Sequence, residues 1–231
     1  MQEAAIADTL FYQLNRSASR HPPPSIARMI RIFSTLAILS IALLLAALMM
    51  GISMGDLYAK PEPAQETLHW ATLHRLTGVA AALAVVFVES IVVTYFIGTS
   101  RWCKEVVDTY RFDQAPVRAS NRLKRKTFPW ALAGMLAVVV IISLGGAADP
   151  ATLRPNTQAW TDWHLVGAFL GIVFVAWTYL IAWNNIVANN TIIEQLVAEV
   201  GRVRQERGLD DPSPDAEFSP ATPVIGSNRG G

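Results

Sequence analysis

Apolar residues along this chain fall into four long blocks separated by short polar stretches. Residues 32–52 are apolar apart from Ser34, Thr35 and Ser40, and residues 76–97 apart from Thr77, Glu89, Ser90 and Thr94. Residues 128–148 and 165–183 complete the set. Each block approaches the about 20 residues that, at about 1.5 Å rise, carry a helix across a hydrocarbon layer of about 30 Å. In lipid every backbone amide must find its partner internally, so these blocks predict helices. The expected fold is all-α: an integral membrane four-helix bundle of two repeated helix pairs. Pro129 is expected at the first turn of the third span, where its missing N–H costs nothing.

Outside the blocks there is little mass. Residues 1–30 form an N-terminal tail in which residues 4–14 predict a short interfacial helix, ended by Pro22, Pro23 and Pro24. Residues 31–184 hold the four spans. Residues 185–208 predict a helix continuing the fourth span, with Ile186, Ile193, Val197 and Val200 at near-helical spacing, either a solvated stalk or a seam for a partner. Residues 209–231, rich in Pro, Ser and Gly, predict a disordered tail. The stretch between the second and third spans is long enough for a helix lying on the membrane.

Charge fixes a direction. The chain has 231 residues with 16% charged and a net charge of +1, against about 25% charged in soluble domains. Arg16, Arg20, Arg28 and Arg31 precede the first span. Arg101, Lys104, Arg111, Arg118, Arg122, Lys124, Arg125 and Lys126 lie between the second and third, and Arg202, Arg204, Arg207 and Arg229 follow the fourth. The other two connections carry only Lys60, Arg75 and Arg154. The positive-inside rule therefore predicts cytoplasmic N- and C-termini, with two short loops outside a membrane expected to be a bacterial inner membrane. The basic cluster at residues 122–126 is expected to touch anionic lipid rather than nucleic acid. With Cys103 as the sole cysteine, intramolecular disulfides, Cys-type zinc sites and C-x-x-C-H haem attachment are excluded. Nucleotide, zinc-protease and serine-hydrolase motifs are absent.

Candidate chemistry sits where two spans begin. Shifting the chain by ninety residues lays Trp70 on Trp160, His74 on His164 and Glu89 on Tyr179, so each half contains W-x-x-x-H at the start of an ingoing helix. Helices running in the same direction put His74 and His164 at one depth. His69 is about 140° around the helix from His74, so both cannot face inward. The plainer reading makes these histidines interfacial anchors beside tryptophan. The sharper one has His74 and His164 ligate a single haem iron across the bundle. Gly78, Gly167 and Gly171 would leave space for the macrocycle, and Arg75 and Arg154 would pair with its carboxylates. A copper site from His69, His74 and His164 with Met49, Met50 and Met54 is a further option.

His74-Arg75 at the start of the second span and His164-Leu165 at the start of the fourth resemble the four-helix half of heme A synthase, and in outline the b-type membrane cytochromes. The E-x-x-H-R signature of the former is split here. Glu66-x-x-His69 has the spacing, His74-Arg75 has the pair, and Ala71 stands where the glutamate would be. The resemblance implies haem b at His74 and His164 rather than an enzyme activity.

Glu89 is expected slightly inward of the membrane midplane. A charge at that depth costs at least about 2.5 kcal/mol, so Glu89 is expected to be protonated or hydrogen-bonded inside the bundle, with Tyr179 as its expected partner and Thr178 or Ser143 as alternatives. Two functions remain open. One is a small haem-binding protein for electron transfer or respiratory-complex assembly. The other is a cofactor-free accessory subunit that meets other subunits of a larger membrane complex. Neither names an enzymatic substrate.

Overall fold

A computed structural model describes residues 24–208, with side chains described from residue 29. The expected interfacial helix over residues 4–14 and the tail from residue 209 lie outside the described residues. Four helices account for nearly everything else: α1 (Pro24–Ser53), α2 (Gln65–Tyr110), α3 (Ala115–Ala148) and α4 (Thr161–Glu206). All four are long and apolar enough to cross a membrane, and no strand occurs among the described residues. The described residues are thus all-helical, with the four apolar helices of an integral membrane protein.

Neighbours in sequence pack as neighbours in space, α1 on α2, α2 on α3 and α3 on α4, and α4 returns to α1. That leaves α2 and α4 across the diagonal. One end of the bundle carries the connections 54–64 and 149–160 and is called the histidine end below. The other carries the tight α2–α3 turn and is called the hairpin end.

The core follows from 3.6-residue periodicity. Phe33, Ala37, Ser40 and Leu44 point inward from α1, and Ala82, Val85, Val88, Glu89, Val92 and Phe96 from α2. Ala131 and Val138 of α3 meet Ile172, Val175, Thr178, Tyr179, Ala182 and Ile186 of α4. The inward face of α4 tracks that of α2 at a fixed offset of 90, from Ala82 and Ile172 down to Phe96 and Ile186. On the outside Leu83, Phe87, Leu132, Phe169 and Val173 are each more than half exposed. A continuous apolar exterior of this kind suits lipid and not water.

At about 1.5 Å per residue, the 46 residues of α2 and of α4 run about 69 Å, more than twice a hydrocarbon layer of about 30 Å. At the hairpin end the excess replaces the expected surface-lying helix. Residues 101–126 continue α2 and α3 as helices and reverse only at 111–114. Arg111 takes the left-handed conformation at φ 57°, and Asp113 Oδ2 accepts from the Ala115 N–H at 2.7 Å to start α3. The helices stay upright because Cys103 and Val107, one turn apart, bury themselves against Val117 and Leu196 in a second small core. The continued fourth helix agrees with expectation. Pro129 does not: α3 begins at Ala115, so Pro129 lies inside a helix and leaves the Arg125 carbonyl without its usual donor.

Candidate functional site

His74 sits in the third turn of α2 and His164 in the first turn of α4. The diagonal arrangement brings their rings together across the bundle, with centroids 6.1 Å apart and planes at 72°. His74 Nδ1 lies 2.9 Å from the Ala47 carbonyl oxygen. A carbonyl only accepts, so Nδ1 carries a proton and donates, which in the neutral tautomer leaves Nε2 as the acceptor nitrogen. The Ile141 carbonyl of α3 acts on the His164 ring from the corresponding side. His164 Nδ1 is nevertheless buried without a hydrogen bond of good geometry.

Glycine makes room for both rings. A Cβ on Gly51 would stand 3.0 Å from His74 Cε1, and one on Gly145 would stand 3.0 Å from His164 Cε1. Each imidazole therefore packs closely, Cε1 nearest, against the backbone of a neighbouring helix. Of the three glycines expected to free space, Gly78 does line the cavity between the histidines. Gly167 and Gly171 instead receive Leu144 and Ile141 of α3, so they serve helix packing.

The cavity measures about 580 Å³ and is walled mainly by Leu44, Ala82, Val138, Leu165 and Ile172. Binding pockets commonly span about 300–1,000 Å³ with apolar walls and few polar groups. Its mouth is tied by two polar contacts. Arg75 Nε pairs with Asp149 Oδ2 at 3.0 Å, and the Tyr58 hydroxyl donates to the Ala148 carbonyl at 2.5 Å. Arg154 is exposed and stands away from the cavity lining, so of the two arginines only Arg75 belongs to the site. His69 and Trp70 are exposed, as anchors would be. Among the described residues no group of three His, Cys, Asp or Glu is placed to hold a metal, and Met49 points outward. The three-histidine copper arrangement is therefore not assembled, although Met54 lines the cavity.

Glu89 is fully buried, but its partner is not Tyr179. Thr178 Oγ1 donates to Glu89 Oε1 at 2.7 Å, whereas the Tyr179 hydroxyl pairs with Ser40 Oγ at 2.9 Å. Adjacent residues of a helix point about 100° apart, so Thr178 and Tyr179 serve different neighbours. Ser143 is exposed and bonds its own helix at the Val139 carbonyl. Gly134 of α3 lies against the carboxyl group, leaving Oε2 buried and without a partner.

A second polar cluster at the hairpin end went unforeseen. Asn189 Nδ2 donates to the Tyr95 hydroxyl and to Thr99 Oγ1, both at 3.1 Å, while its Oδ1 accepts from Ser120 at 2.9 Å. Tyr95 donates in turn to Asn190 Oδ1 at 2.5 Å, and Asn185 bonds Thr127 at 2.9 Å. The available signal was Asn184-Asn185 and Asn189-Asn190, polar pairs within an otherwise apolar helix pattern.

Set against protein-family models, curated proteins and solved structures, the chain matches none.

Proposed function

We propose that this protein binds one haem between His74 and His164 and serves electron transfer or the assembly of a respiratory complex. The observation that carries the reading is the ring separation of 6.1 Å. An imidazole nitrogen stands about 2 Å from a bound transition metal and about 1 Å from its ring centre, so two imidazoles that share one metal stand up to about 6 Å apart. The Ala47 contact gives further support, because metal-bound histidines ordinarily donate their other N–H to a carbonyl or carboxylate. A bound haem would supply one-electron redox chemistry. The chain's own residues would hold it: Nε2 of each histidine as ligand, Gly51 and Gly145 fixing ring position, the apolar wall excluding water, and Arg75 meeting an acidic edge.

The lysine and arginine distribution favours both termini in the cytoplasm and the histidine end at the outer face of a bacterial inner membrane. Duplication of a two-helix unit accounts for the paired positions: Gly51 with Gly145, Ala47 with Ile141, His74 with His164. The hairpin-end extension favours a second reading, a cofactor-free accessory subunit that docks through it. A reduced-minus-oxidised visible spectrum of purified protein separates the two. The haem reading expects Soret and α bands that disappear in both His74→Ala and His164→Ala. Colourless protein of normal helicity, unable to take up added hemin, would leave the accessory reading.

A further inference from the structure

Arg75 and Asp149 are the charged residues among those lining the cavity, apart from the histidines, and they are spent on each other. We infer that Asp149 is a counter-ion that a ligand carboxylate displaces from Arg75, so that the cavity selects amphiphiles whose acidic end lies at its mouth. This rests on the haem reading for the identity of the ligand, but not for the exchange itself.

The geometry says which partner moves. Asp149 closes α3, and its Oδ1 accepts from the Ala151 N–H at 2.9 Å to begin the 3-10 turn Pro150–Thr152. The next residue back, Ala148, is held through its carbonyl by Tyr58. Asp149 is thus fixed at both shoulders and its side chain is 17% exposed. Arg75 is 42% exposed on a long flexible stem and meets Asp149 through Nε, so its terminal nitrogens remain as donors. An incoming carboxylate therefore competes for the guanidinium while Asp149 stays in place. A ligand without an acidic group gains nothing by opening the pair, and an uncompensated anion at the mouth is repelled by Asp149. The discrimination follows from one exchangeable ion pair set over an apolar cavity.

Asp149→Asn keeps the acceptor for Ala151 and removes the charge. Its expected effect is a three- to tenfold gain in affinity for hemin, with none for hemin dimethyl ester, whose acid groups are blocked. Arg75→Gln alone should lower hemin affinity at least threefold and leave that of the ester unchanged, since the guanidinium is the group the ligand carboxylate takes. Equal gains for hemin and ester, or an Arg75→Gln variant that binds hemin as wild type does, would overturn the inference and leave Asp149 a helix-end residue. Failure of wild type to bind either probe would instead count against the haem reading, and a second measurement then decides the exchange. Gly78 lines the cavity and its Cβ would meet nothing within 4 Å, so Gly78→Cys fits there. In a Cys103→Ser background, its labelling rates by an anionic and a cationic thiosulfonate report the charge at the mouth. The anionic-to-cationic ratio should rise at least threefold with Asp149→Asn and fall with Arg75→Gln. An unchanged ratio in both variants refutes the exchange whatever the ligand.

Discussion

Gly134 and Gly78 are both helical glycines, yet substitution should act on them in opposite directions. A Cβ at Gly134 would stand 2.6 Å from Glu89 Oε1 and 3.0 Å from Thr178 Oγ1, against the buried contact between them. Neither atom can retreat without breaking the bond they share. Gly134→Ala should therefore cost about 1–3 kcal/mol, as overpacking does, and lower Tm in detergent. At Gly78 the added methyl meets open space, so Gly78→Ala should gain up to about 1 kcal/mol of helix propensity. Comparing the two melting curves checks both signs, and equal shifts would mean that the Glu89–Thr178 contact is not tight. Nothing in the chain's order of residues announced Gly134 as the neighbour of Glu89. Depth could be counted along each span, which paired Glu89 with Tyr179, but rotation about the axis decides which of two adjacent side chains turns toward it. One residue of slip was enough to substitute Thr178.

At the level of elements, the hairpin end stands upright because α2, α3 and α4 share a polar pin set above an apolar plug. Asn189 satisfies Tyr95 and Thr99 on α2 and Ser120 on α3, so one side chain of α4 joins three helices. Removing it takes one hydrogen bond from each of three hydroxyls that keep another, Tyr95 on Asn190, Thr99 on the Tyr95 carbonyl and Ser120 on Ser100, at about 0.5–1.5 kcal/mol per bond lost. Asn189→Ala should loosen this end alone. Cys103, buried beside the pin, should then react with thiol reagents markedly faster than in wild type, while the His74–His164 end keeps whatever spectrum it has. Faster labelling together with a collapsed spectrum would mean that the two ends unfold as one unit. The four spans were legible because about twenty apolar residues in lipid admit only a helix. The upright extension was not, since the basic stretch 101–126 fits a surface helix as well as a hairpin. Only the contact of Cys103 and Val107 with Leu196, distant in sequence, separates the two. Pro129 misled for a related reason: its place in a first turn assumed that α3 starts at the membrane, and α3 starts fourteen residues earlier.

For the whole molecule, the two histidines, the cavity and the Arg75–Asp149 pair all lie at one end, so which face of the membrane that end meets determines what can reach the site. The pairing of His74 with His164 was legible because parallel helices turn equal offsets into equal depth. The cavity was not, because it depends on where Gly51 and Gly145 bring α1 and α3 against the rings. The cation distribution favours an outward histidine end. Single cysteines in a Cys103→Ser background test this directly. Lys60 lies in the exposed connection after α1, and Asp113 in the exposed turn between α2 and α3, at opposite ends of the bundle. In intact cells an impermeant maleimide should label Lys60→Cys within minutes and leave Asp113→Cys untouched until the membrane is opened. The reverse pattern would turn the site inward, where a carboxylate-bearing ligand would have to arrive from the cytoplasm. Labelling of both in intact cells would mean that the chain inserts in two orientations. A basic hairpin with eight cations beside its spans works against that, since carrying it across the membrane is the costly direction.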